Sequence, residues 1–100
     1  MADIVISVEE TGAKGRYVAR VEGYADPGEM TYSRVSPTKI IVDHTGVPDS
    51  LRGLGVGAAL AQRVVADARA LGFKIVPLCP FFNAQFKRHP EWSDVVTPID

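Results

Sequence analysis

The hydrophobic period of this chain changes once, and the change falls between residues 43 and 56. Before it, apolar residues recur at every second position in short runs, the signature of strands; after it they recur at every third or fourth, the signature of a helix. The first run, Asp3 to Val8, sets Ile4, Ile6 and Val8 on one face and Val5 and Ser7 on the other. "TGAKG" supplies a hairpin turn. Arg16 to Val21 resumes the alternation, with Tyr17, Ala19 and Val21 together, and "GYADPGE" turns the chain again. A third strand, Met30 to Val35, groups Met30, Tyr32 and Arg34. After "SPT", the fourth strand, Lys39 to Asp43, carries the unbroken run Ile40, Ile41, Val42, which predicts burial on both faces.

The helical stripe runs from about Gly55 to Leu71 through Val56, Leu60, Val64, Ala68 and Leu71, and Gly72 is its stop signal. Lys74 to Leu78 reads as a fifth strand, with Pro77 marking an edge or an interrupted ladder. Pro80 to about His89 reads as a second helix limited by Pro90. The segment "EWSDVVTPID" has little pattern of its own. Strands four and five, with the helix between them, make a βαβ unit whose strands run parallel. The expected fold is therefore α+β: a mixed, mostly antiparallel sheet covered by two helices, a single domain over residues 1–100.

Composition narrows the function. Hydrophobic residues are 46% and charged residues 23%, the balance of a folded globular chain rather than a disordered one. A formal net charge of −1 argues against a general electrostatic grip on nucleic acid. Cys79 is the single cysteine, so no internal disulfide forms, which suits a reducing compartment. The start "MADIVISVEE" lacks the basic region of a signal peptide, and no apolar run approaches the ~20 residues of a membrane span. A cytoplasmic protein without membrane attachment is expected, as is the absence of a metal site.

The stretch that calls for a function is "SLRGLGVGAAL", Ser50 to Leu60, where a strand gives way to the long helix. The first N–H groups of a helix point outward and carry partial positive charge, and glycines there let an anion approach the backbone. Gly53, Gly55 and Gly57, with Arg52 beside them, suggest a phosphate or pyrophosphate guest. The Walker A pattern fails, because Ala58 and Ala59 follow Gly57 where Lys and Ser/Thr are required. The dinucleotide pattern is met by Gly53, Gly55 and Ala58. It lacks the ribose-binding acid expected at the end of the next strand, which here ends at Leu78 and Cys79. A third pattern, R/Q-x-x-G-x-G/A, is met by Arg52, Gly55 and Gly57, with Val47 five residues before.

That third pattern resembles the pyrophosphate loop of the GNAT superfamily of acyl-CoA-dependent N-acyltransferases. "HTGVPDSLRGLGVGAAL", "DARALGFKIVPLCPF" and "HPEW", together with Tyr32, are similar to its short branch of about a hundred residues; the likeness runs from about Gly23 to Trp92. The resemblance implies acetyl-CoA as cofactor and an N-acetyltransferase acting on an amine-bearing acceptor, a protein or a small molecule. It implies that strands four and five splay apart, with pantetheine entering the gap and pairing around Thr45 and Val47. The amides of Gly53, Leu54, Gly55, Val56 and Gly57 would then hold the pyrophosphate, and the thioester would lie near Asp43, His44 and Cys79.

The chemistry has three demands: the amine must lose its proton, the oxyanion must be stabilised, and the leaving thiolate must be protonated. Cys79 precedes the second helix and is a candidate to protonate the thiolate or to take the acetyl group itself; its other reading is a small buried hydrophobe. His44, beside the loop, is a candidate general base, or else shapes the strand end. Asp43 is a weaker candidate. Lys87, Arg88 and His89 complement the helix dipole or reach the 3′-phosphate of CoA. Trp92, Phe81, Phe82 and Phe86 read as core or rim packing. Phe86 stands near the position where much of the superfamily carries a tyrosine acid, which makes the Cys79 thiol the candidate for that role. No helices separate the first two strands, which leaves the acceptor side open. A non-catalytic CoA-binding module and a cofactor-free interaction domain are the competing readings.

Overall fold

In a computed structural model, which describes residues 3–98, the element order is four strands, a helix, a strand and a helix. The strands are β1 (Ile4–Thr11), β2 (Lys14–Val21), β3 (Gly28–Ser36), β4 (Lys39–Gly46) and β5 (Lys74–Pro77). The helices are α1 (Val56–Leu71) and α2 (Pro80–Arg88), and 3-10 turns occupy Asp49–Leu51 and Pro90–Asp94. One sheet holds all five strands in the order β1-β2-β3-β4-β5, antiparallel up to β4 and parallel between β4 and β5. The α+β architecture with its βαβ unit is the one the sequence predicts.

Alternation decides which face is which. Tyr17, Ala19 and Val21 of β2, Met30 and Tyr32 of β3, Ile40 and Val42 of β4 and Ile75 of β5 all point to the helix side and are buried. They meet Val56, Leu60, Val64 and Ala68 of α1, the stripe at helical spacing. Phe82 of α2 and Trp92 close one end of the same cluster, their rings 5.9 Å apart. Polar contacts fix α1 on the sheet. The Tyr17 hydroxyl donates to Asp67 Oδ2 at 2.8 Å, and Arg63 donates to Asp67 and to the Ile6 carbonyl at 3.1 Å. Burial first, then the bond to Asp67, holds the Tyr17 phenol far above its ordinary range. Helix α1 ends at Gly72, whose left-handed φ of 79° allows its N–H to bond the Ala68 carbonyl.

Two expectations change. Ile41 is only half-buried, between the fully buried Ile40 and Val42. Among the described residues both helices belong to the one core, so the β4 apolar run is covered on one face and not two. The segment after α2 is also more ordered than its sequence suggests. Val95 and Val96 are buried, and the backbone of Val95 and Thr97 bonds Ile75 along the outer edge of β5 at 2.8 Å on each side. Edge strand β5 is thereby capped, which blunts its capacity to pair with another chain.

Candidate active site

The parallel ladder of β4 and β5 stops at Val42 and Pro77. Proline has no N–H to extend it, and the next contact is the Cys79 N–H bonding the Val42 carbonyl at 2.9 Å. Beyond that point Asp43 to Gly46 keep β3 as a neighbour on one side and have no strand partner on the other among the described residues. The two strands stop pairing at the point where the resemblance implies a gap.

A bulge sits at the same point. Tyr32 pairs with Val42 and Thr31 with His44, so Asp43 is an extra residue on β4. The consequence is a change of face. Met30 pairs with Thr45, so Thr45 shares the helix side with Val42, three residues away rather than two. Its Oγ1 lies 3.2 Å from the Sγ of Cys79, which is buried at the N-cap of α2. Asp43 and His44 both face the opposite side, with Thr31. Asp43 accepts from the Thr31 hydroxyl and, at 3.3 Å, from the Ser33 hydroxyl. The exposed His44 ring lies along the strand, and a Cβ on Gly46 would come within 3.4 Å of it. Cys79 and His44 thus flank β4 from its two faces and do not form a thiol–imidazole pair.

The loop builds a second part of the site. Gly53 and Gly55 have left-handed φ values of 84° and 80°, which other residues adopt only with strain. They turn the chain so that α1 begins with its first amides exposed to a cavity of about 270 Å³ lined by Val47, Arg52, Gly53, Gly55, Gly57 and Phe81. The first intrahelical bond is Ala59 N–H to Gly55 C=O, so the Val56, Gly57 and Ala58 amides precede it. No side chain caps this terminus and no acidic residue lies in its first turn. Its positive end is therefore not offset by any acidic or capping side chain of its own first turn. Leu51 and Val56 are buried and anchor the loop, and Leu54 packs against the core. Arg52 is exposed and pairs with Asp49 at 2.7 Å.

Gly57 has a different reason from its neighbours. Its conformation is ordinary, but a Cβ there would lie 2.5 Å from Cζ of Phe81. The Phe81 ring rests on the start of α1 and walls the cavity, a contact that nothing in the spacing of the sequence announces. His89 stacks on Trp92 at 4.4 Å and its Nδ1 lies 3.0 Å from Glu91 Oε2, a packing role. Among the described residues, no helix is long and apolar enough to cross a membrane.

Comparison with known proteins follows the same lines. Residues 16–95 match the sequence family described as GCN5-related N-acetyl-transferase. The chain is similar to the solution structure of a GCN5-like protein from Staphylococcus aureus, with 30% identity and a TM-score of 0.69 over 94% of this chain and 90% of that one. No curated protein matches.

Proposed function

The chain belongs to the GCN5-related N-acetyltransferase family, and on that footing we propose that it uses acetyl-CoA to acetylate an amine. The observation that carries this reading is the uncapped start of α1, with its left-handed glycines, opening on a cavity beside the parted strands. The residues present fit the cofactor. Gly53 to Gly57 offer amides to a pyrophosphate, and Thr45 on the unpaired edge of β4 and Val47 just beyond its end are placed for an amide-bearing pantetheine arm. When bound, acetyl-CoA supplies a thioester whose C–S bond breaks as the new C–N bond forms, the amine proton being lost and the sulfur gaining one.

The two faces of β4 divide the proton work. His44, with Asp43 beside it, faces the open side and receives the amine proton. Cys79, with the Thr45 hydroxyl at its sulfur, lies on the helix side and returns a proton to the leaving thiolate. The amine adds to the thioester carbonyl and the tetrahedral intermediate expels the thiolate, so the proton taken from nitrogen and the proton given to sulfur are handled at two different atoms, which a base and an acid on separate faces can serve in a direct transfer. A route through an acetyl-Cys79 is less well supported, because its thiol has no basic neighbour among its described contacts.

Calorimetry with acetyl-CoA, CoA and NAD tests the proposal. Micromolar binding of acetyl-CoA and CoA, with none of NAD, is the expected result. A folded sample that binds none of them would leave the glycines as turn and packing residues.

A further inference from the structure

The outer face of the sheet, which carries no helix among the described residues, holds a second cavity of about 400 Å³. Its charged lining comes from three strands: Glu9 of β1, Lys14 and Arg16 of β2, and Asp43 of β4. These charges are not equivalent. Arg16 is held between Glu9 and Glu29, at 3.1 and 3.0 Å, and is neutralised there. Lys14 and Asp43 reach no opposite charge among the described residues. The Lys14 ammonium donates to the Ser33 hydroxyl at 2.8 Å, and that hydroxyl donates onward to Asp43. An unneutralised cation and an unneutralised carboxylate thus stand at two ends of one polar chain, with a serine between them.

We infer that this cavity is the acceptor subsite and takes a small amine that also carries a carboxylate a few bonds away, as an amino acid does. The inference rests on the acetyltransferase reading above. Asp43 lies at the bulge where β5 leaves β4, next to His44, so an ammonium held there sits at the mouth of the gap. Lys14 lies two strands away from the gap, so a carboxylate held by it points away from the reacting end. A zwitterion oriented this way satisfies both free charges. A diamine or an amine without a carboxylate leaves Lys14 unmatched or opposed, and charge-assisted hydrogen bonds of this kind are the strong ones.

The test is a backbone-amide NMR titration of the whole chain, with alanine, histidine and phenylalanine as probes and ethylamine, histamine and phenethylamine as their counterparts lacking the carboxylate. The inference predicts shifts at Lys14, Thr31, Ser33 and Asp43 with an amino acid, at an affinity roughly tenfold or more above that of its matching amine. In Lys14→Gln that preference disappears, while CoA still shifts the amides of Gly53 to Gly57. Equal response to both members of every pair, or no response at the outer face to either, overturns the subsite. CoA shifts at the glycine loop are read in the same sample. Their absence would instead count against the acetyl-CoA reading.

Discussion

The Sγ of Cys79 and the Oγ1 of Thr45 lie 3.2 Å apart in a part-buried contact, while His44, one residue from Thr45, faces the other side of the sheet. This follows from the bulge at Asp43, which moves Thr45 onto the face that Cys79 reaches from the start of α2. If Cys79 serves as the acid, Cys79→Ala lowers kcat by roughly 10²–10⁴-fold and leaves acetyl-CoA affinity unchanged. Thr45→Val, which removes the hydroxyl, lowers kcat less. Steady-state assay of CoA release, with calorimetry alongside, checks both; full activity in Cys79→Ala removes the thiol from the mechanism.

His44→Ala should lower kcat by about 10²-fold with acetyl-CoA affinity unchanged, since the group proposed to accept the amine proton is gone; steady-state assay with calorimetry alongside checks both. Full activity in His44→Ala assigns the proton transfer to another group, with Asp43 the next to test.

Gly57 and Phe81 form a packing pair, and a two-by-two mutant series reads it. Gly57→Ala introduces a Cβ into the space of the Phe81 ring and should cost about 1–3 kcal/mol through overpacking. In the Phe81→Ala background the same change should cost much less, since the obstructing ring is absent. Urea denaturation of the four proteins measures the coupling; additivity would mean that the ring swings aside freely.

Stability at high pH should reflect Tyr32. Burial first, then its hydrogen bond to Glu10, pushes the Tyr32 phenol up to about 12 from 10.0. A group whose folded value is raised stabilises the fold fully below its unfolded value and loses that contribution as pH climbs through the folded one. The loss attributable to Tyr32 therefore falls between about pH 10 and 12, and Tyr32→Phe removes it from the stability–pH curve. The acid side mirrors this. The Tyr32 hydroxyl, and secondarily Arg34, hold the Glu10 carboxylate below its ordinary range. Its contribution is present above the usual carboxylate value and fades as pH drops through the lowered one. Thermal melts across both ranges check the signs.

Much of this arrangement is legible in the chain itself because period-2 and period-3.6 patterns are local properties. Ile40 and Val42 against Val56, Leu60 and Val64 announce the sheet and the helix that covers it, and Gly53 and Gly55 sit where a left-handed turn is needed. What stays hidden depends on pairing between distant residues. The bulge at Asp43 has no marker in "IIVDHTG"; it appears only when β3 is laid beside β4, and it decides which face His44 and Thr45 occupy. Ile41 looks as buried as its neighbours until the outer face is found uncovered. Gly57 looks like one more phosphate-loop glycine, yet its contact with Phe81 spans 24 positions of sequence. Lys14, Ser33 and Asp43 become neighbours only through the register of three strands.

The central claim is that the start of α1 is an anion site, and Ala58→Asp tests it most directly. Ala58 belongs to the first turn and lines the cavity beside Gly55 and Gly57. An aspartate there complements the positive helix terminus, so the fold keeps or gains stability, while its charge opposes a bound pyrophosphate. Calorimetric titration with acetyl-CoA should show affinity falling at least about tenfold, a loss of ~1.4 kcal/mol or more, with no drop in melting temperature. Undiminished affinity in that folded variant would contradict the assignment of the glycine loop.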